Sequence, residues 1–264
     1  MNNAALWMKL ETRNQKPTSA RFCVKRSMLA LACAGLFAVA ADAAPTGVTV
    51  NGTALDDAVP SSGTGWSYAA PTLTLSGAGP FTLSGTNESG KVRVVAANAT
   101  CTVTLSSLTL VVSGSNQCAF ALGENVNVSL SLRGANSLAS GMFRAGLEVA
   151  AGRTLSITNA PGDAAGALTA TGGHRCAGIG GGSYGNGGTV VINGGTVTAT
   201  GGYGGAGIGS GTRYGSMEAI HGGTVTVHGG TVTVEGLGGG AGIGGGDGGN
   251  GGTLTVSGGT VTAN

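Results

Sequence analysis

Ala177-Gly178-Ile179-Gly180-Gly181-Gly182 recurs as Ala206-Gly207-Ile208-Gly209-Ser210-Gly211 and again as Ala241-Gly242-Ile243-Gly244-Gly245-Gly246. The spacings are 29 and 35 residues, and the six extra residues fall in one stretch, 212–221, which reads as a loop insertion. A second element keeps the same rhythm: Ile192-Asn193-Gly194-Gly195-Thr196-Val197, Val227-His228-Gly229-Gly230-Thr231-Val232 and Val256-Ser257-Gly258-Gly259-Thr260-Val261. A period of this length marks a stack of similar units, none of which can bury its apolar face alone. Each unit holds three short strands separated by glycine corners, for example 189–192, 196–200 and 206–208. Within them Val or Ile alternates with Thr at period two, which turns one set of side chains inward. The Gly-Gly pairs supply the positive φ that a sharp corner demands. The repeat therefore predicts an all-β chain folded as a right-handed parallel β-helix, with three short strands per coil of about 29 residues.

Upstream the same pattern continues in degenerate form. Thr102-Val103-Thr104-Leu105, Val128-Ser129-Leu130-Ser131 and Thr154-Leu155-Ser156-Ile157 resemble the strand at Thr189. Cys118-Ala119-Phe120-Ala121-Leu122 and Ala145-Gly146-Leu147-Glu148-Val149 match the Ala-Gly-Ile strand. Counting each match as one turn gives roughly six coils. The expected organisation is a signal peptide over 1–43, cap and lead-in strands over 44–72, degenerate coils over 73–171 and glycine-rich coils over 172–264. Thr260-Val261-Thr262-Ala263-Asn264 stops partway through a coil, so the sequence reads as truncated there.

Of the 54 glycines, 37 lie between Gly172 and Asn264. They lack the every-third spacing of collagen, and tetrads such as Thr189-Val190-Val191-Ile192 do not belong in a solvated linker. Lys9, Arg13, Lys16, Arg21, Lys25 and Arg26 precede an apolar run over 28–40, and Ala41-Asp42-Ala43 follows as a cleavage site, so the chain is expected to be secreted or displayed at the cell surface. The formal charge of +2 resides in that leader; without it, seven Lys/Arg face nine Asp/Glu. No basic cluster remains for nucleic acid, and no second apolar segment of membrane-spanning length follows. Cys101, Cys118 and Cys176 lie in or beside apolar strands and are expected as buried thiols.

Candidate chemistry is sparse. Gly181-Gly182-Ser183-Tyr184-Gly185 fits the G-x-S-x-G pattern, yet that motif needs a strand–elbow–helix setting that this segment does not predict. A calcium-dependent lyase on this fold would need several acids clustered beside an Arg or Lys, whereas the acids outside the leader occupy different positions in their units and form no ladder. Gly246-Asp247-Gly248-Gly249-Asn250-Gly251 is similar to the turns of calcium-binding β-rolls, which leaves Asp247 either a calcium ligand or a turn former. His174, His221 and His228 show no zinc spacing. Tyr184, Tyr203 and Tyr214 lie in glycine loops, where they either stack on sugar rings or pack over neighbouring loops. Thr196/Thr198, Thr231/Thr233 and Thr260/Thr262 form outward pairs like the threonine arrays of ice-binding solenoids, a residue choice that any exposed strand also favours.

The segment Gly63-Thr64-Gly65-Trp66-Ser67-Tyr68, the following Thr72-Leu73-Thr74-Leu75 and the A-G-I-G-G-G and G-G-T-V-T repeats resemble bacterial secreted carbohydrate-binding or adhesin-like β-helix proteins. The resemblance covers about Val48 to the end. It implies an extracellular polysaccharide-binding or adhesive module, with an extracellular polysaccharide or host-cell glycan as partner and calcium as an optional cofactor. The expectation is thus a non-catalytic glycan-binding module; the alternatives are a structural stalk and a lyase- or hydrolase-like enzyme on the same fold.

Overall fold

The computed structural model describes residues 45–213 and 218–264. The segment read as an export signal, 1–43, and Tyr214 lie outside the described residues. Every regular element among those residues is a β-strand, and none is a helix that could cross a membrane.

The parallel strands stack on three faces. Thr100–Val111 spans two of them: its first half pairs with Asn127–Arg133 and its second half with Ala135–Ala139. The first face continues through Thr154–Asn159, Thr189–Ile192, Thr224–Val227 and Thr253–Val256, and the second through Ala167–Thr171, Thr196–Tyr203, Thr231–Leu237 and Thr260–Ala263. The third face runs from Thr72–Leu75 through Arg93–Ala96, Phe120–Leu122, Leu147–Glu148, Ile179–Gly180 and Ile208–Gly209 to Ile243–Gly244. This is the right-handed parallel β-helix that the repeat predicts. Phe81–Asn87 lies parallel beneath Thr100–Val111 and adds a rung to the roughly six expected. It escaped the sequence pattern because Gly85, with φ +105, breaks the alternation where the strand bends from one face to the next.

The register explains the stability. Val190 pairs with Leu155 and Val225, and Val197 with Leu168 and Val232, so inward residues stack on inward residues. All six are at most 2 % exposed, and full burial of such a side chain contributes about 1.5–3 kcal/mol. Outward, Thr196, Thr231 and Thr260 form one ladder, and Thr198, Thr233 and Thr262 another. His228 occupies the corner slot held in other coils by Asn193 and Ser257, and its Nδ1 lies 2.8 Å from the Ser257 hydroxyl.

The third face is short because its corner is built of backbone. Gly180, Gly209 and Gly244 stack with φ of +134, +147 and +132. A Cβ at Gly180 would lie 2.0 Å from the Gly209 carbonyl oxygen, and one at Gly209 1.9 Å from that of Gly244. Only glycine fits such a column.

At the N-terminal end, Pro45–Val50 pairs antiparallel with Thr53–Asp56 and with Phe81–Asn87. Ser61–Gly63, Trp66–Ala69 and Thr72–Leu75 form an antiparallel meander whose last strand opens the third face. Trp66 and Tyr68 are buried beneath it, and the Tyr68 hydroxyl donates to the Lys91 carbonyl at 2.7 Å. Cys101, Cys118 and Cys176 are free and buried. Burial pushes the Cys101 thiol up to about 11 and those of Cys118 and Cys176 up to about 12.

Candidate functional site

Phe120, Leu147, Ile179, Ile208 and Ile243 stack in one inward column on the third face. Four residues before each stands Asn116, Phe143, Arg175, Gly204 and Gly239. All five have left-handed backbone, with φ of +59, +70, +70, +82 and +96. Glycine adopts this conformation freely and asparagine tolerates it, whereas Phe143 and Arg175 each carry a strain of about 1–2 kcal/mol. On the other side of the third face the same contrast recurs. Tyr184 lies five residues beyond Ile179 with φ +60, and Gly248 five beyond Ile243 with φ +68.

These residues converge. A cleft of about 440 Å³ is lined by Asn116, Phe143, Arg144, Arg175, Ser183 and Tyr184, so four of its six lining residues are the left-handed, non-glycine ones. Its volume falls in the range of small-ligand sites. Tyr184 is 41 % exposed, and its hydroxyl accepts a hydrogen bond from Arg175 Nη1 at 3.1 Å. The loop carrying Ser183 is tied down by Ser183 N donating to the Phe143 carbonyl at 3.2 Å and Tyr184 N to the Thr212 carbonyl at 3.3 Å. The Ser183 hydroxyl oxygen is buried and makes no hydrogen bond.

Behind the cleft, Glu148 is buried between two guanidinium groups, with Arg144 Nε at 2.7 Å and Arg153 Nη1 at 3.7 Å. Burial holds its carboxyl above the ordinary glutamate value, and the two arginines pull it only part of the way back. Glu148 pairs with Gly180 of the next coil, so it stands at the foot of the glycine column.

Beside the cleft runs a second, more exposed column. His174 and Tyr203 immediately precede Arg175 and Gly204, and their rings stack with centroids 6.0 Å apart and planes within 8°. Gly238 in the following coil makes room for Tyr203, since a Cβ there would lie 2.7 Å from the ring. Tyr203 thus packs over a neighbouring loop on one side, yet it remains 66 % exposed. A hollow of about 150 Å³ is lined by His174, Arg175, Tyr203, Gly204, Thr212 and Asp247. Arg175 lines both cavities, and through it the structure brings Tyr184, Tyr203 and Asp247 to one surface.

Asp247 is exposed; its backbone N donates to the Gly204 carbonyl at 2.7 Å and its carbonyl accepts from Arg213 N at 2.9 Å. Among the described residues no group of three or more His, Cys, Asp or Glu converges. Beside Asp247 the hollow is lined by His174, Arg175, Tyr203, Gly204 and Thr212. Ser183 stands in the loop between Ile179–Gly180 and Thr189–Ile192, two strands with no helix between them, which is not the setting of the G-x-S-x-G motif.

Sequence reasoning picked out Tyr184, Tyr203 and Asp247 but missed Asn116, Phe143, Arg144 and Arg175. The available signal was a comparison of coils: the column that holds glycine at 204 and 239 holds large side chains at 143 and 175.

Residues 165–183 and 190–212 match a family model described as a beta helix repeat. No curated protein and no solved structure matches the chain. The described chain is a β-helix module, similar over those two stretches to the beta helix repeat family.

Proposed function

We propose that this chain is an extracellular, non-catalytic β-helix module that binds a polysaccharide or a cell-surface glycan. The observation that carries the reading is the convergence of Phe143, Arg175 and Tyr184 on one cleft, each held in a left-handed conformation that later coils leave to glycine. Backbone strain of this kind persists where surrounding structure enforces it and tends to collect at ligand sites. The half-buried Phe143, the exposed Tyr184 and Tyr203, and the donors of Asn116 and Arg175 are the chemistry that recognises a sugar, whose rings offer an apolar face and a rim of hydroxyls. In support of a non-catalytic role, the carboxylate behind the cleft, Glu148, is held between Arg144 and Arg153.

The test is a glycan array and an insoluble-polysaccharide pull-down with the purified protein, with calcium and with a chelator. Removing one stacked ring takes away about 1 kcal/mol, so Tyr184→Ala and Tyr203→Ala should each weaken binding about fivefold. No binding to any glycan by a protein shown to be folded would sink the reading. The structural stalk would then stand first, favoured by the unbroken stacking of rungs along all three faces.

A further inference from the structure

Cations concentrate around the cleft. Of the seven Lys/Arg outside the leader, three gather at this corner: Arg144 and Arg175 line the cleft, and Arg153 stands behind it. The acid among them, Glu148, is buried and faces Arg144 and Arg153. The lining residues therefore carry two guanidinium groups, an asparagine amide, a phenol and a phenyl ring, and no carboxylate. This cationic surface belongs to a region in which acids outnumber bases, nine to seven.

Two features mark the cleft as built for an anion. Arg175 is projected by a left-handed backbone that a residue without a role at this point would not require. Arg144 and Arg175 share the lining of one cleft, and no carboxylate lines it with them. A guanidinium offers carboxylate and sulfate oxygens two parallel N–H bonds, in a geometry that neutral hydroxyls do not match.

Resting on the glycan reading, we infer that the glycan seated in this cleft is acidic, with a carboxylate or sulfate group held by Arg175 and Arg144 and its ring set against Phe143 and Tyr184. Asp247 lies on the far side of Arg175, in the adjoining hollow, and repels the same anion.

The test is titration calorimetry of the full chain with a uronate hexasaccharide, its methyl ester and a sulfated oligosaccharide of equal length, in low and high salt, with calcium and with a chelator. The uronate should bind at least tenfold tighter than its ester, and the preference should shrink as salt rises. Arg175→Gln should erase that preference by weakening the uronate far more than the ester, and Arg175→Lys should keep part of it. Asp247→Asn should strengthen uronate binding. A preference for the sulfated probe supports the same assignment with sulfate as the source of the anion. Equal binding of uronate and ester would overturn the proposal while leaving the glycan reading intact. Absence of binding to all three probes, together with an empty glycan array, would overturn both. An acid preference that survives Arg175→Gln but vanishes with chelator, or with Asp247→Asn, would overturn it in favour of a calcium bridge. Melting curves of each variant confirm that the coils remain folded.

Discussion

Gly209→Ala should damage this protein far more than a glycine substitution of equal backbone strain elsewhere. The new Cβ would lie 1.9 Å from the Gly244 carbonyl oxygen, and real contacts of this kind essentially never fall under 3.0 Å. The two coils would have to part by about 1 Å, because the obstacle is backbone and cannot rotate away. The nearest rung bonds, Ile208 N to the Gly242 carbonyl at 2.8 Å and Ser210 N to that of Gly244 at 3.0 Å, would stretch with them. Losing two such bonds costs roughly 2 kcal/mol and the backbone strain at φ +147 adds at least about 1, for a total near 3–5 kcal/mol. Gly162→Ala is the control: its φ is +79, and a Cβ there meets nothing within 4 Å, so only the strain applies. At about 2–4 °C per kcal/mol for a chain of this size, Gly209→Ala should lower the melting temperature by about 6–20 °C and Gly162→Ala by about 2–8 °C. Thermal unfolding followed by circular dichroism, with urea midpoints beside it, measures the difference. If the two variants melt within a degree or two of each other, the third face is not closed by backbone contact and the account of its glycine column is wrong.

Two further outcomes follow from the buried groups. Glu148 has a folded pKa above its ordinary 4.5, so in the window above that value the folded chain holds a proton that the unfolded chain has released, and stability falls as pH rises through it. The unfolding free energy of wild type minus that of Glu148→Gln should therefore decline with rising pH across this window; urea midpoints from about pH 4 to about pH 8 measure it, and a flat or rising difference would contradict the burial argument. Cys101, Cys118 and Cys176, held up at about 11 to about 12, should stay unmodified by a thiol reagent in native buffer near pH ~8 and react once the chain unfolds, as mass-spectrometric mapping would show. Labelling of Cys118 in the native state would mean that the coil around Ala145 opens.

The coils were legible because their cause is local. A Val or Ile at every second position and paired glycines at corners state both period and direction, and Thr189–Ile192, Thr196–Tyr203 and Ile208–Gly209 follow that statement closely. Phe81–Asn87 was not legible, since its bend rests on one glycine and on partners in the rung above. The site was legible only in part. Tyr184 and Tyr203 stand out as large rings among glycines, but Arg175 looks like an ordinary loop cation until stacking places it under Gly204 and beside Tyr184. Which side chains share a cleft is decided by the loops between Ile179 and Thr189 folding back over the preceding coil, through bonds such as Ser183 N to the Phe143 carbonyl. No period in the sequence encodes that return.

The left-handed column from Asn116 through Phe143, Arg175 and Gly204 to Gly239 is a row of sockets set at one pitch, about 4.8 Å. Whatever residue enters a socket is aimed in the same direction as its neighbours, because the backbone has already turned for it. Two sockets are blank. At Gly204 a Cβ would press on the Thr212 side chain at 2.4 Å, whereas at Gly239 the nearest obstacle is the Asp247 carboxylate at 3.2 Å. A β-helix of this kind can extend such a row one coil at a time, exchanging a blank for a side chain while the backbone that carries it keeps its turn.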